Sequence, residues 1–267
     1  MALFDKFLIV GCGNMGGAML AGWLAGGIEP SRFTVVDPGL PEAPEGVTLL
    51  REMPEGAFDA VMLGIKPQML DQLAPRIAPA VGPETVVFSI LAGVEIASLE
   101  RRFAQGRAVV RIMPNLAAAI GKSPIALAES GLEGRERDAV AKFMQPLGTP
   151  EWFDEALFDA VTALAGCGPG FVYRFIDSLA GGAVALGVPE AQARRLALAM
   201  VEGAGLLAAS SELSPGELAD RVASPGGSTR AGLDVLDEGG ALAGLVTAAM
   251  RAARERNAEM AAAAREG

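Results

Sequence analysis

The chain has 267 residues, enough for about two domains of ordinary size. It carries 22 Lys and Arg against 32 Asp and Glu, and the net charge of −10 disfavours binding to nucleic acid or to anionic lipid surfaces. Because it has no His and only Cys12 and Cys167 as thiols, we expect no disulfide framework, no bound metal ion and a cytoplasmic location.

The first predicted unit is a strand, a glycine-rich turn and a helix. Phe7–Val10 is a short apolar run, and helical character continues over residues 18–24. The turn between them is a G-x-G-x-x-G loop in the context that dinucleotide binding requires. Gly11 permits the tight turn, Gly13 lets a pyrophosphate approach the backbone, and Gly16 lets the helix pack on the strand. The predicted cofactor contacts here are Gly11, Cys12, Gly13, Asn14, Met15 and Gly16.

Residues 7–28 also contain no charge, so by length they resemble a signal peptide or a membrane span. Seven glycines and Asn14 interrupt the stretch, and its front third is typical of a strand rather than of a spanning helix. The strand, turn and helix therefore account for it better, and we expect no membrane association.

An acidic residue ends the second predicted strand. Phe33–Val36 is apolar, and Asp37 follows it. A carboxylate at this place hydrogen-bonds a ribose 2′-OH and repels a 2′-phosphate, and no Arg or Lys follows until Arg51. NADH is therefore favoured over NADPH. The alternative is that Asp37 only forms the turn before Pro38.

Strands and helices then alternate. Apolar runs at 59–65, 85–90 and 108–113 predict strands, and residues 68–77 and 96–103 predict helices between them. This alternation indicates a Rossmann-type, doubly wound parallel sheet, in which ligands bind beyond the carboxyl ends of the strands. The residues expected near a nicotinamide at those ends are Lys66, Pro67, Ala92 and Asn115, each of which could instead be an ordinary loop residue.

The second half of the chain is predicted to be all helical. Strand-like runs disappear after residue 154, and Ala, Gly, Leu and Met dominate helical segments at 156–165, 169–187, 189–210, 214–222, 229–238 and 240–265. Helices so apolar on most faces are usually buried, and a domain of this size has too little interior to bury them alone. We therefore expect an α/β dinucleotide-binding domain over 1–154 and an all-α substrate-binding domain over 155–267 that forms a homodimer.

Residues 222–238 have the features of an anion site. Gly226 and Gly227 free the backbone, and Ser228 or Thr229 is expected to cap the helix that follows. Unpaired N–H groups at a helix start favour a carboxylate or a phosphate, and glycines let the ligand come close. An ordinary turn before a helix is the alternative.

Five motifs together resemble the pyrroline-5-carboxylate reductase family. Besides the glycine loop they are Gly-Ile-Lys-Pro-Gln at 64–68, Arg-Ile-Met-Pro-Asn at 111–115, Thr-Ala-Leu-Ala-Gly-Cys-Gly-Pro at 162–169 and Ala-Ser-Pro-Gly-Gly-Ser-Thr-Arg-Ala-Gly-Leu at 223–233. They occur in the family's order over nearly the whole chain. The resemblance implies reduction of a cyclic imine carboxylate, Δ1-pyrroline-5-carboxylate, to L-proline with NADH or NADPH, the last step of proline synthesis.

The resemblance also implies roles for single residues. The substrate carboxylate would be held by Gly226, Gly227 and Ser228. The Thr229 hydroxyl would bond the ring nitrogen as the catalytic residue, and Glu212 would help through a water, unless Glu212 is only a solvated loop residue. In this family the substrate site forms at a dimer interface, and the dimers often assemble into rings.

The chain departs from the family's pattern in two places. Ala-Gly-Cys-Gly-Pro-Gly at 165–170 replaces Ser-Gly-Ser-Gly-Pro-Ala, and we expect Cys167 to be a packing residue rather than a nucleophile. Pro-Asn-Leu-Ala at 114–117 replaces Pro-Asn-Thr-Pro, which puts the nicotinamide contacts there in doubt.

Two other functions stay open from the sequence. The first is a β-hydroxyacid dehydrogenase or a reductase of other imines with the same glycine loop. The β-hydroxyacid enzymes often carry a catalytic Lys in their helical half, whereas no Lys follows Lys142 here. The second is a non-enzymatic sensor of the nicotinamide pool, which would bind NADH without turnover.

Overall fold

The structure of the chain, a computed structural model, describes residues 4–266 and divides into two compact units. Unit 1 takes the described residues up to Gly166 together with those from Ala253 onward, and unit 2 is Cys167–Ala252. Unit 1 continues past residue 154 because Phe158 is buried in the core of its sheet. The division into domains at 154 and 155 stays a prediction.

Unit 1 is built on one sheet, whose described strands are β1 (Phe7–Val10), β2 (Phe33–Val36), β3 (Thr48–Leu50), β4 (Phe58–Leu63), β5 (Val81–Ser89), β6 (Ala108–Met113), β7 (Ser123–Ser130) and β8 (Gly148–Trp152). They lie in the order β3-β2-β1-β4-β5-β6-β7-β8. Every neighbouring pair is parallel except β6 and β7, which are antiparallel. The expected doubly wound fold is confirmed as a mostly parallel sheet.

Alternating side chains of the central strand supply a core on each face of this sheet. In β1, Phe7 and Ile9 join one buried cluster, while Leu8 and Val10 join the other. The helices of unit 1 are α1 (Asn14–Ala25), α2 (Leu70–Ile77), α3 (Ile96–Arg102), α4 (Gly134–Met144) and the short α5 (Phe158–Val161). The first cluster takes buried residues from α1 and α4, and the second takes them from α2 and α3, so both faces are covered.

Unit 2 is helical, as predicted. Its helices are α6 (Gly168–Ala185), α7 (Glu190–Ala209), α8 (Pro215–Val222), α9 (Ser228–Asp237) and the first part of α10 (Ala241–Glu266). The buried core of this unit is small and consists of Ala180, Ala193 and Ala197 on α6 and α7. Large apolar side chains on the same two helices are exposed, among them Phe175, Leu196 and Leu207.

Candidate active site

The three glycines of the loop between β1 and α1 meet different demands. Gly11 has a φ of 85°, and a Cβ there would lie 2.8 Å from the Gly64 carbonyl oxygen. A Cβ on Gly16 would lie 2.9 Å from the carbonyl oxygen of Gly11. A Cβ on Gly13 would meet no atom within 4 Å. The fold itself therefore requires Gly11 and Gly16, whereas Gly13 leaves its side of the loop open to a ligand.

Asp37 is fixed beside this loop at the carboxyl end of β2. Its Oδ2 accepts the backbone N–H of Cys12 at 2.8 Å, and its Oδ1 accepts the N–H of Gly39 at 2.8 Å. The second bond forms the turn that the sequence offered as the alternative role. Burial, with a smaller contribution from the charge of Asp37, raises the pKa of the Cys12 thiol to about 11. Cys12 is therefore a protonated packing residue at neutral pH and not a nucleophile.

A cleft of about 430 Å³ opens at the carboxyl ends of β1, β2 and β4. It brings together Gly11, Gly13, Asp37 and Lys66 of the predicted cofactor contacts. Two arginines that were not predicted as contacts, Arg51 and Arg76, also line it. Its apolar lining comes from Val10, Val36, Met53, Ile65, Met69, Leu73 and Ile77.

The other predicted cofactor contacts do not line this cleft. Cys12 and Gly16 are buried, Met15 packs on the core, and Asn14 is exposed at the first position of α1. Pro67 begins a short 3-10 helix, and Ala92 lies half-buried beyond the end of β5. Contact of these residues with a cofactor stays a prediction.

Asn115, which follows β6, has a structural role that the sequence did not predict. Its Oδ1 accepts the Ala117 N–H at 2.9 Å and so caps a short 3-10 helix, and its Nδ2 donates to the Ala165 carbonyl at 2.9 Å. The residue is only 5% exposed. These bonds hold the Asn115 side chain in place, and a contact between Asn115 and the nicotinamide stays a prediction.

Arg111 on β6 is a further residue that sequence reasoning missed. It is buried, its Nη1 lies 2.6 Å from Glu155 Oε1, and its guanidinium stacks over the Phe158 ring. The same Glu155 oxygen accepts the N–H of Ile96 at the start of α3. Glu155 thus joins β6 to the start of α3 from its position after β8. The signal in the sequence was a charge inside an otherwise apolar strand, which needs a buried partner.

The predicted anion site lies in unit 2, at the start of α9. Gly226 has a φ of 72°, and Gly227 donates its N–H to the Ser224 carbonyl at 2.9 Å. The predicted cap was wrong, because Gly227 occupies the N-cap and Ser228 and Thr229 are the first helical residues. The N–H groups of the first turn have no acceptor within the helix, and both hydroxyl residues are exposed. The turn therefore has the N–H groups that an anion site requires, and substrate binding there stays a prediction.

The residue after Thr229 adds a positive charge to this turn. Arg230 Nη2 donates to Asp220 Oδ1 of α8 at 2.6 Å. This bond, together with the nearby carboxylates of Asp234 and Asp237, raises the pKa of Arg230. Glu212 is exposed between α7 and α8 and has no hydrogen-bond partner among the described residues.

Comparison with known proteins shows the family of the chain. The model of the pyrroline-5-carboxylate reductase dimerisation domain matches residues 155–260. Pyrroline-5-carboxylate reductase of Pseudomonas aeruginosa is 33% identical over 265 residues, which cover 96% of this chain and 97% of the relative. The solved structure of the reductase from Coxiella burnetii is 25% identical, with a TM-score of 0.85 over 96% of this chain and 98% of that one. The Plasmodium falciparum pyrroline carboxylate reductase, solved with NADP bound, shares the fold at 24% identity, with a TM-score of 0.81 and coverage of 96% and 98%.

Proposed function

The chain belongs to the pyrroline-5-carboxylate reductase family, and from that membership we infer that it reduces Δ1-pyrroline-5-carboxylate to L-proline with NAD(P)H. The observation that carries this conclusion is the 33% identity to a named reductase over nearly the full length of both chains. A β-hydroxyacid dehydrogenase or a nicotinamide sensor does not account for the match over 155–260. The chain is an oxidoreductase of proline synthesis.

The cleft of unit 1 suits a nicotinamide cofactor. Gly13 gives room for a pyrophosphate next to the backbone, and Asp37 presents a carboxylate that two N–H groups hold in place. When bound, the cofactor supplies the hydride that the imine carbon receives. We propose that NADH is preferred over NADPH, because a fixed carboxylate accepts a ribose hydroxyl and repels a 2′-phosphate.

Steady-state rates with each cofactor test this preference. Purified protein with Δ1-pyrroline-5-carboxylate is expected to show a higher kcat/KM with NADH than with NADPH. Asp37→Asn removes the charge while keeping the size of the side chain, so it should narrow the difference between the cofactors. A higher kcat/KM with NADPH in the unaltered protein would contradict the role given to Asp37.

The substrate is proposed to bind at the predicted anion site of unit 2. Gly226, Gly227 and the first turn of α9 offer N–H groups for its carboxylate. The Thr229 hydroxyl orients the ring nitrogen, with help from Glu212 through a water. An imine that arrives already protonated needs no strong acid, so the chain works by positioning and electrostatics without a histidine.

Thr229→Ala tests the catalytic assignment. Loss of one hydrogen bond to a charged nitrogen should lower kcat by about ten- to hundredfold. The Kd for NADH, measured by fluorescence, should not change. Thr229→Ser keeps the hydroxyl and is the matched control, for which we expect partial or full activity. An alanine variant with the kcat of the unaltered protein would remove Thr229 from the mechanism.

The family's dimerisation domain indicates that the chain is oligomeric. We propose a homodimer through unit 2, which in turn forms a ring of dimers, located in the cytoplasm. One described stretch, Glu155–Ala185, is long and apolar enough to cross a membrane by composition. This stretch lies within the residues that match the dimerisation domain. We therefore propose that a partner subunit, rather than lipid, covers its apolar side chains.

A further inference from the structure

Arg51 is tied to a single loop by hydrogen bonds to three carbonyl groups. It directly follows β3, the strand at the edge of the sheet, and its side chain reaches back over the loop at 37–41. Its Nη1 donates to the Asp37 carbonyl at 2.7 Å and to the Leu40 carbonyl, and its Nη2 donates to the Pro41 carbonyl at 3.2 Å. A guanidinium is suited to this task, because its donors diverge in a rigid fork.

Asp37 is held at both its backbone and its side chain. Arg51 holds the Asp37 backbone carbonyl, while the Cys12 and Gly39 N–H groups hold its two carboxylate oxygens. Arg51 and Asp37 both line the proposed cofactor cleft. Arg51, which lies outside the 37–41 loop, thus stabilises the loop that carries the Asp37 carboxylate.

The same bonds determine what Arg51 can offer a ligand. An arginine that grips a phosphate uses two parallel N–H groups of its fork. In Arg51 both Nη atoms already donate to carbonyls of the loop. Three of its five N–H donors are used in this way, so gripping a 2′-phosphate through both Nη atoms would require at least one of these bonds to break.

We propose that Arg51 is a positioning residue that determines cofactor specificity by holding the 37–41 loop so that the Asp37 carboxylate faces the ribose. Arg51 thereby favours NADH, and its two Nη atoms are held by the loop rather than offered to a 2′-phosphate. This inference rests on the proposed function, because it concerns the nicotinamide cofactor of that reaction. The opposite hypothesis is that Arg51 is itself a ligand of the 2′-phosphate.

Arg76 provides a matched control in the same cleft. It lies near the end of α2 and is exposed, and its side chain has no hydrogen-bond partner among the described residues. Replacing it removes the same positive charge from the cleft without releasing the loop. Since NADPH carries more negative charge than NADH, loss of charge alone weakens NADPH binding more.

The test measures KM and kcat for NADH and for NADPH in Arg51→Met, Arg51→Lys and Arg76→Met. Arg51→Met should raise the KM for NADH by roughly three- to tenfold, as expected for an exposed loop that loses its brace, with little change in kcat. The KM for NADPH should stay the same or fall, so the preference for NADH declines. Arg51→Lys should recover only part of the preference for NADH, because an ammonium group lacks the planar fork of donors of a guanidinium.

Arg76→Met should leave the preference for NADH unchanged or increase it. The proposal is overturned if Arg51→Met raises the KM for NADPH alone, which would make Arg51 a phosphate ligand. It is also overturned if Arg51→Met and Arg76→Met change the preference equally. The Kd values of the two cofactors, measured by fluorescence, compare the preference for NADH between the variants without substrate. A protein that fails to reduce Δ1-pyrroline-5-carboxylate can therefore still test this inference. Arg51→Gln serves as the second neutral variant if Arg51→Met is poorly folded.

Discussion

At the residue scale, the three glycines of the loop between β1 and α1 differ in whether the fold has room for a side chain at their position. Gly11 and Gly16 are needed by the fold, because any side chain there would meet a backbone carbonyl. The fold does not need a glycine at position 13, because a Cβ there would meet no atom within 4 Å, and we propose that the cofactor needs it. Stability and cofactor binding should therefore respond differently to the same substitution at these positions.

Gly13→Ala should separate binding from folding. We expect a free energy of unfolding within about 0.5 kcal/mol of the unaltered protein, because the new methyl group meets no atom. The Kd for NADH should rise at least roughly tenfold, the equivalent of about 1.4 kcal/mol. Gly11→Ala is the contrasting variant, and it should lose about 1–3 kcal/mol of stability through strain and overlap. NADH binding to Gly13→Ala as tight as to the unaltered protein would contradict the role of the loop.

Single residues also show where sequence reasoning stops. Asp37 could be predicted because its place after the second strand is fixed by the motif. Arg51 could not, because its partners lie ten or more positions away and come near only when β3 joins the sheet edge. The cap before α9 was misplaced at Ser228 or Thr229, because side-chain preference alone does not locate the residue at which the backbone becomes helical.

At the scale of elements, the sequence predicted β1, β2, β4, β5 and β6 but not β3, β7 or β8. β3 has three residues, and β8 contains Pro150 and lies at the opposite edge of the sheet. Proline is tolerated at an edge because no neighbour needs its missing N–H. The antiparallel pairing of β7 with β6 depends on the path of the connection between the two strands. The hydrophobic pattern of the strands does not determine that path.

The close packing of α1 makes a second stability prediction. A Cβ on Gly22 would overlap the Ala118 carbonyl oxygen and lie 2.7 Å from Leu147 Cδ2. Gly22→Ala should therefore destabilise the protein by roughly 1–3 kcal/mol. Gly17 lies on the same helix, and a Cβ there would make an ordinary contact of 3.8 Å with the Cys12 carbonyl oxygen. Gly17→Ala should be neutral or stabilise by about 0.5–1 kcal/mol. Thermal unfolding of both variants measures the difference, and equal stability of the two would contradict the packing described.

For the whole molecule, the sequence predicted the order of an α/β part and a helical part. The change in composition occurs near residue 154, while unit 1 includes residues up to Gly166 and part of α10. Packing of Phe158 against the sheet and the bond from Asn257 Nδ2 to the Asp159 carbonyl bring these segments into unit 1. Such contacts are tertiary and leave no local pattern in the sequence.

The exposed apolar side chains of unit 2 predict that the protein is at least a dimer. Light scattering at micromolar concentration should give at least twice the protomer mass. Leu207 on α7 is 64% exposed, and Leu207→Asp should shift the protein toward the protomer mass if a partner covers it. Leu116→Asp is the control, because Leu116 is 56% exposed but lies outside residues 155–260. A protomer mass for the unaltered protein would contradict the dimer.

The most direct test of the central claim is the fate of the transferred hydrogen. The purified protein is incubated with Δ1-pyrroline-5-carboxylate and NADH deuterated at both C4 positions, and the product is analysed by mass spectrometry and NMR. Proline with a single deuterium at C5, the former imine carbon, is the predicted result. Substrate-dependent oxidation of NADH without deuterated proline, or no oxidation with either cofactor, would contradict the assignment as a pyrroline-5-carboxylate reductase.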